Sequence, residues 1–228
     1  MKIAIGVALF LFCVAGLMIV SKRQKSATIE ASKAPQEVRI VNDLNAVQIE
    51  NLSVSNPNST APSATFNVVN TSSEPLTALV LHCGRYQIMT DPARFGNAIE
   101  PGQKVSLTLT IDGAQPLTVD AVFYKSGKAE GNPSAILRVE NTRKGYRAAI
   151  QMIVQEMKVR RSPSDLRAAI SNLPIKEDGF TSTPAFFGAT DARQDVLSKL
   201  AEIESLTDQA KVDSGMRDLN MWVTARLK

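Results

Sequence analysis

Residues 3–20, IAIGVALFLFCVAGLMIV, run for eighteen positions without a charged side chain. Wound as an α-helix at about 1.5 Å per residue, this run covers roughly 27 Å, close to the ~30 Å hydrocarbon core of a bilayer. A helix satisfies its own backbone groups, so such a segment is stable in lipid. The expectation is a transmembrane anchor over residues 1–20, in contact with membrane lipid through residues 3–20. The rival reading is a cleaved signal peptide. Val14-Ala15-Gly16 would serve as the cleavage triplet, but Leu17, Met18, Ile19 and Val20 carry the apolar run past it. Cys13 follows Phe12 rather than a small residue, so it reads as part of the span and not as a lipidation site.

The distribution of charge bears on orientation and on partners. The chain has 228 residues and a formal net charge of +4. Residues 1–41 hold six basic and two acidic side chains, and the remainder is balanced at twenty of each. A nucleic-acid binder carries its basic excess on the folded body, so no nucleic-acid partner is expected. Lys22, Arg23 and Lys25 come directly after the span, which by the positive-inside rule would hold the body in the cytoplasm. A span that begins at residue 3 also reads as a signal-anchor that exports the chain beyond it. Both orientations stay open, with an extracytoplasmic, periplasmic body favoured. The chain has two Cys and one His, which excludes a disulfide-stapled scaffold and a Cys/His zinc module. No metal and no cofactor are expected.

Residues 21–45 are polar and without periodicity, as in a flexible tether. Residues 46–140 alternate with period two. Ala64, Phe66 and Val68 interleave with Thr65 and Asn67, and Val105, Leu107, Leu109 and Ile111 with Ser106, Thr108 and Thr110. Leu117, Val119, Ala121 and Phe123 form another such row, and Ala78-Leu79-Val80-Leu81 is a continuous apolar run suited to a more buried strand. Turn sequences such as Glu100-Pro101-Gly102 and Lys125-Ser126-Gly127 separate them. Many short strands with frequent turns predict a β-sandwich. The only Trp, Trp222, lies far from this region, so an antibody-type core is excluded.

Residues 141–228 change to helical period. Tyr146, Ala149, Ile150, Ile153, Val154 and Met157 make one stripe. Ser162, Pro163 and Asp165 mark the start of a second helix, with Leu166, Ala169, Ile170 and Leu173 inward and Pro174 after its end. Residues 175–189, with Phe180, Phe186 and Phe187, read as a loop. A third helical stretch from about Asp191 turns Val196, Leu200, Ile203 and Ala210 inward. Gly215 is a candidate break, after which Met216, Leu219, Val223 and Leu227 continue the stripe.

The stretch Phe66-Asn67-Val68-Val69-Asn70-Thr71-Ser72-Ser73-Glu74-Pro75-Leu76, then Ile99-Glu100-Pro101-Gly102, then Val119-Asp120-Ala121-Val122-Phe123-Tyr124, resembles bacterial Ig-like domains found behind amino-terminal anchors. It is also similar to exported bacterial proteins in which this module precedes a helical tail. The resemblance covers about a third of the chain and implies a binding or spacer module without catalytic residues. The expected fold is thus α+β: a transmembrane helix, an antiparallel Ig-like β-sandwich over 46–140, and a helical segment of about three helices over 141–228.

Candidate chemistry is sparse. His82 and Cys83 are adjacent, and strand neighbours point to opposite faces, so a nucleophile–base pair is not expected there. Ser126-Gly127-Lys128-Ala129 lacks the upstream Gly and the hydroxyl residue of a phosphate loop and reads as a hairpin turn. Glu177 and Asp178 precede Gly179 in what reads as a solvated turn, and Asn51, Asn58 and Asn70 open sequons that read as turn residues. Arg143, Lys144, Arg147, Lys158, Arg160 and Arg161 crowd the ends of one helix, either as a solvated face with charges favourable to the helix dipole or as contacts to phosphate groups of lipid or nucleic acid. Phe180, Phe186 and Phe187 are either a lid over the helices or a partner-binding tip. The candidate partner or lipid contacts are therefore Arg143, Lys144, Arg147, Arg160, Arg161, Phe180, Phe186 and Phe187. The expected function is a single-pass, membrane-anchored, non-catalytic binding or adaptor protein of the bacterial envelope with a protein partner. The alternatives are a cleft enzyme using dispersed Asp, Glu or Ser, a secreted protein after signal cleavage, and a structural spacer.

Overall fold

A computed structural model of the chain describes residues 38–228, apart from positions 58, 113, 114, 161, 177, 178, 181 and 228. Residues Glu37–Lys228 belong to one compact unit. The expected membrane span and most of the tether lie outside the described residues; among those described, no helix is long and apolar enough to cross a membrane. The elements are β1 Ile40–Val41, β2 Val47–Ser55, β3 Ser63–Asn70, β4 Leu76–Cys83, β5 Tyr86–Thr90, a 3₁₀ turn Pro92–Phe95, β6 Lys104–Thr110, β7 Leu117–Tyr124, β8 Ala129–Gly131, α1 Pro133–Val159, α2 Pro163–Ser171, α3 Thr183–Glu204 and α4 Gln209–Ala225. The fold is α+β.

Two sheets share one core. The first has the order β1-β7-β4-β5, with β8 also on β7, and the second has the order β2-β3-β6. All pairings are antiparallel except β1 with β7, which is parallel, so the first sheet is mixed rather than antiparallel throughout. Residues 38–45, expected in the tether, supply that parallel strand. Ala64, Phe66 and Val68 of β3 face Leu79, Leu81 and Cys83 of β4 and Leu117 and Val119 of β7 within a common apolar cluster, as their period-two spacing predicts.

The opposite face of the first sheet is also covered. Ala78 and Val80 of β4 and Ala121 and Phe123 of β7 pack against Ala135 and Val139 of α1. This double burial explains why Ala78-Leu79-Val80-Leu81 is apolar without alternation. It also corrects the reading of β7 as one alternating row. Val80 pairs with Ala121 while Leu81 pairs with Val119, so Asp120 is an extra residue, a β-bulge. The bulge turns Leu117 and Val119 toward the inter-sheet core and Ala121 and Phe123 toward the helix. Gly131 of β8 runs against it at φ 118, where a Cβ would overlap the Asp120 carbonyl oxygen and lie 2.8 Å from Ala121 Cα.

There are four described helices rather than about three, and their limits differ from those expected. The first begins at Pro133, not at 141, capped by Asn132, whose side chain accepts the Ser134 N–H at 2.9 Å. Its stripe from Tyr146 to Met157 packs on the helical core as the spacing predicts. The second has the predicted cap, with Ser162 Oγ accepting the Asp165 N–H at 3.1 Å. The third starts at Thr183 because Ser182 caps it and Pro184 fits its first turn, so Phe186 and Phe187 are helical rather than in a loop. The break falls at Ser205–Asp208, where Asp208 caps the last helix, and not at Gly215. Gly215 lies within α4, and a Cβ on it would come 2.9 Å from Ile203 Cγ1; its smallness lets α4 approach α3. Ala210, expected inward, is exposed at the start of α4, because the break resets the helical phase.

The tightest helix crossing is between α1 and α3. A Cβ on Gly145 would overlap the Ala185 carbonyl and lie 2.7 Å from Ala185 Cα, and one on Gly188 would overlap the Thr142 carbonyl and lie 3.0 Å from the Tyr146 nitrogen. The two backbones touch through paired glycines, which brings the polar side chains of both helices to the sheet edge.

Candidate functional site: a cation-lined cavity at the sheet–helix seam

Arg143 and Arg147 lie one helical turn apart on α1, so both project from the same face. That face looks onto the end of the first sheet, where β5 leads into the 3₁₀ turn and β7 turns back into β8. Between them is a cavity of about 360 Å³, lined by Thr77, Asp91, Arg94, Tyr124, Lys125, Arg143, Tyr146, Arg147 and Arg226 among others. The lining holds five cationic side chains and one carboxylate, Asp91.

Two of the cations are neutralised within the protein. Arg143 grips buried Asp91 through two hydrogen bonds, Nε to Oδ2 at 2.8 Å and Nη2 to Oδ1 at 2.9 Å, and its guanidinium lies 5.1 Å from the centre of the Phe123 ring. Arg94 donates to Asp191 and to Asp195, each at 2.8 Å, from the 3₁₀ turn to α3. Burial alone would lower the Arg94 pKa, but the Asp195 and Asp191 carboxylates outweigh it and the net shift is upward. Tyr146 donates to the same Asp195 oxygen at 3.0 Å. Burial first, then the Asp195 charge and hydrogen bond, push its phenol well above the ordinary range, so it stays a neutral donor.

Arg226 is positioned from the end of α4. Its Nε donates to the Arg94 carbonyl at 2.6 Å and its Nη1 to the Trp222 carbonyl at 2.8 Å, and its guanidinium stacks 3.7 Å from the Trp222 ring centre. Nη2 is turned toward the cavity wall at Gly96, 4.0 Å from where a Cβ would stand. Burial lowers the Arg226 pKa, but a guanidinium remains charged at neutral pH. Lys125 and Arg147 are exposed at the rim. At the back, Tyr124 donates to Glu130 at 2.9 Å, and burial together with that bond raises its pKa to about 12.

The structure places only two of the eight residues singled out in the sequence at this cavity. Arg143 and Arg147 meet in the cavity. Lys144 points from the adjacent, exposed side of α1. Arg160 caps the far end of the helix and pairs with Glu156 at 3.4 Å, beside a shallow groove that includes Asp165 and Asn172. Arg161, like Glu177, Asp178 and Asn58, lies outside the described residues. Phe180 and Phe186 pack half-buried on the helical core with ring centres 6.4 Å apart, whereas Phe187 is 57% exposed. Arg94, Lys125, Arg226, Asp91 and Tyr146 were not legible as site residues. They come from four separated segments, and none carries a local motif; Tyr146 reads only as part of the core stripe, which it also is.

The other candidates resolve simply. His82 Nδ1 lies 2.7 Å from Asp120 Oδ2 on the helix side of the first sheet. Cys83 turns into the inter-sheet core, with its thiol at the Gln115 and Asp112 carbonyls, and burial raises its pKa. The imidazole and thiol therefore stand on opposite faces. Residues 125–128 form the hairpin turn predicted, with Gly127 at φ 90. Asn70 is buried, its amide donating to the Ile99 and Glu74 carbonyls at 2.7 and 2.8 Å, so it is a structural turn residue. Among the described residues, no group of three or more His, Cys, Asp or Glu is placed to hold a metal ion. No family model, curated protein or solved structure matches the chain.

Proposed function

We propose that this chain is a membrane-tethered, non-catalytic binding module of the bacterial envelope. In this reading residues 3–20 rest in lipid, the body is extracytoplasmic, the paired sheets are an Ig-like sandwich, and an anionic group of the ligand or partner enters the seam cavity. The observation that supports it is the cavity lining. Lys125 and Arg147 converge there without a carboxylate partner among the described residues, beside Arg226, which shares the Asp195 charge and meets the Tyr146 hydroxyl, and beside two arginines whose partners are fixed. Guanidinium groups hold charge and do not shuttle protons at neutral pH, so the lining suits recognition better than acid–base chemistry.

Two experiments test this. A carboxyl-terminal alkaline phosphatase fusion should be active in intact cells, and carbonate-washed membranes should retain the chain. An inactive fusion, or a mature chain beginning after Gly16 and free in solution, would overturn the tethered, exported picture. For binding, the full chain in phosphatidylcholine nanodiscs is titrated with a panel of small organic anions, read by the fluorescence of Trp222. A saturable response lost in Arg147→Glu is expected; no response to any anion would refute the binding-module reading.

A further inference from the structure

Resting on that reading, the geometry points to a specific ligand chemistry: we propose that the seam cavity is a receptor for the phosphate group of a small phosphomonoester, held by Arg147, Arg226 and Lys125. Three features carry this. First, the five cations of the lining face three aspartates, Asp91, Asp191 and Asp195, and this excess of two is more than a carboxylate satisfies. One bidentate guanidinium matches a single carboxylate, as Arg143 already does for Asp91. That excess, carried by Arg147 and Lys125 with Arg226 beside them, matches a group bearing close to two negative charges and three acceptor oxygens, which is a phosphate monoester.

Second, the donors are of complementary kinds and differently fixed. Arg226 is held rigidly by the Trp222 stack, by bonds from Nε and Nη1 and by the Tyr146 hydroxyl, with Nη2 at the cavity wall by Gly96. Such a fork is pre-organised, so little side-chain freedom is lost on binding. Arg147 and Lys125 are exposed at the rim, able to close over the oxygens, and Lys125 acts as a mobile point charge. The Arg143–Asp91, Arg94–Asp191 and Arg94–Asp195 pairs engage the aspartates at the site, and Lys128 engages Glu130 behind it, which reduces their repulsion of an anion.

Third, the cavity is too large for an inorganic ion alone. At about 360 Å³ it falls at the lower end of small-molecule sites. The side chains of Tyr124 and Tyr146 and Ala225 give the remainder of the ligand an apolar wall. Two sources fit the same chemistry, a soluble phosphorylated metabolite and the headgroup of a phosphomonoester lipid.

The test uses the full chain in nanodiscs of pure phosphatidylcholine or of phosphatidylcholine with phosphatidic acid. Inorganic phosphate, glycerol phosphate, citrate and methylsulfonate are titrated, with Trp222 fluorescence and calorimetry as readouts. Glycerol phosphate is expected to bind one to one, more tightly than inorganic phosphate. Arg147→Ala and Lys125→Ala should each weaken it about tenfold, the scale of one lost charge-assisted contact. Lys144→Ala, on the same helix but outside the cavity, should leave it unchanged. Arg226→Ala should abolish binding, but it also removes structural bonds, so the two rim variants carry the decision. Equal affinity in both membranes assigns a soluble ligand, and a loss confined to phosphatidic-acid discs assigns the lipid headgroup; either supports a phosphate site. If citrate or methylsulfonate binds with Arg147 dependence while glycerol phosphate does not, the binding module stands and the phosphate assignment falls. Phosphate binding indifferent to Arg147→Ala and Lys125→Ala also refutes it.

Discussion

Gly145→Ala tests whether the α1–α3 crossing sets the shape of the helical half. The added methyl would overlap the Ala185 carbonyl oxygen and lie 2.7 Å from Ala185 Cα. Carbon atoms prefer about 3.5–4.0 Å, so the helices must part by at least about 1 Å, and by more where the methyl meets the carbonyl oxygen. A gap of that size forfeits roughly a quarter to a half of each dispersion contact across it, and the layer affected includes Ala149, Ile150, Ala189 and Ala192, all fully buried. Overpacking of this kind costs ~1–3 kcal/mol or more, while alanine returns up to about 1 kcal/mol of helix propensity. A net loss of about 2 kcal/mol is expected, or roughly 4–8 °C in Tm for a unit of this size. Trp222 on α4 reports the melt in full-length protein. Gly188→Ala, which meets the Thr142 carbonyl at the same crossing, should behave alike, and the double variant should cost less than the sum because the helices are already spread. Gly179→Ala, with open space around its Cβ position, is the control and should change stability by less than about 0.5 kcal/mol. Unchanged or raised stability in Gly145→Ala would refute the close-packed crossing.

Asn70→Ala removes a buried amide that bonds the Ile99 and Glu74 carbonyls and accepts from Ser72. It should cost about 2–4 kcal/mol by denaturant midpoint, from orphaned polar groups. Asp195→Asn loosens the link from Arg94 and Tyr146 to α3 and should cost about 2 kcal/mol, together with an earlier alkaline titration of the Tyr146 phenol, seen in the phenolate absorbance. The Tyr124 pKa is raised from 10.0 to about 12 by burial and by Glu130. Its contribution to stability is therefore complete below pH 10 and is lost as pH rises toward about 12, because only the unfolded chain ionises there. Tyr124→Phe should flatten that part of the stability profile; an unchanged slope would show that Tyr124 does not resist ionisation.

The strands and stripes were legible because each arises from local chemistry. Phe66 and Val68 alternate, Tyr146 to Met157 recur every three to four residues, and Ser162-Pro163 opens a helix wherever it occurs. Helix starts with equally plain marks, Asn132-Pro133 and Ser182-Thr183-Pro184, could have been found by the same capping chemistry, which would have moved Phe186 and Phe187 out of a loop. The crowd of basic residues on one helix was visible, but not which of them act together. Arg143 and Arg147 separate from Lys144 only by the face of α1 that meets the sheet.

The amino-acid sequence by itself determined the apolar run at residues 3–20, the change from period two to helical period, and the neutrality of the body. These depend on side-chain types at short spacing, which the periods of helix and strand convert directly into faces. Only the tertiary structure decided the Asp120 bulge, the glycine crossing of α1 and α3, and the cavity. A bulge depends on which partner strand each residue faces, and the crossing on what stands opposite each glycine. The cavity joins residues as far apart as Arg94 and Arg226, whose attraction and repulsion exist only once the chain has brought them within a few ångströms.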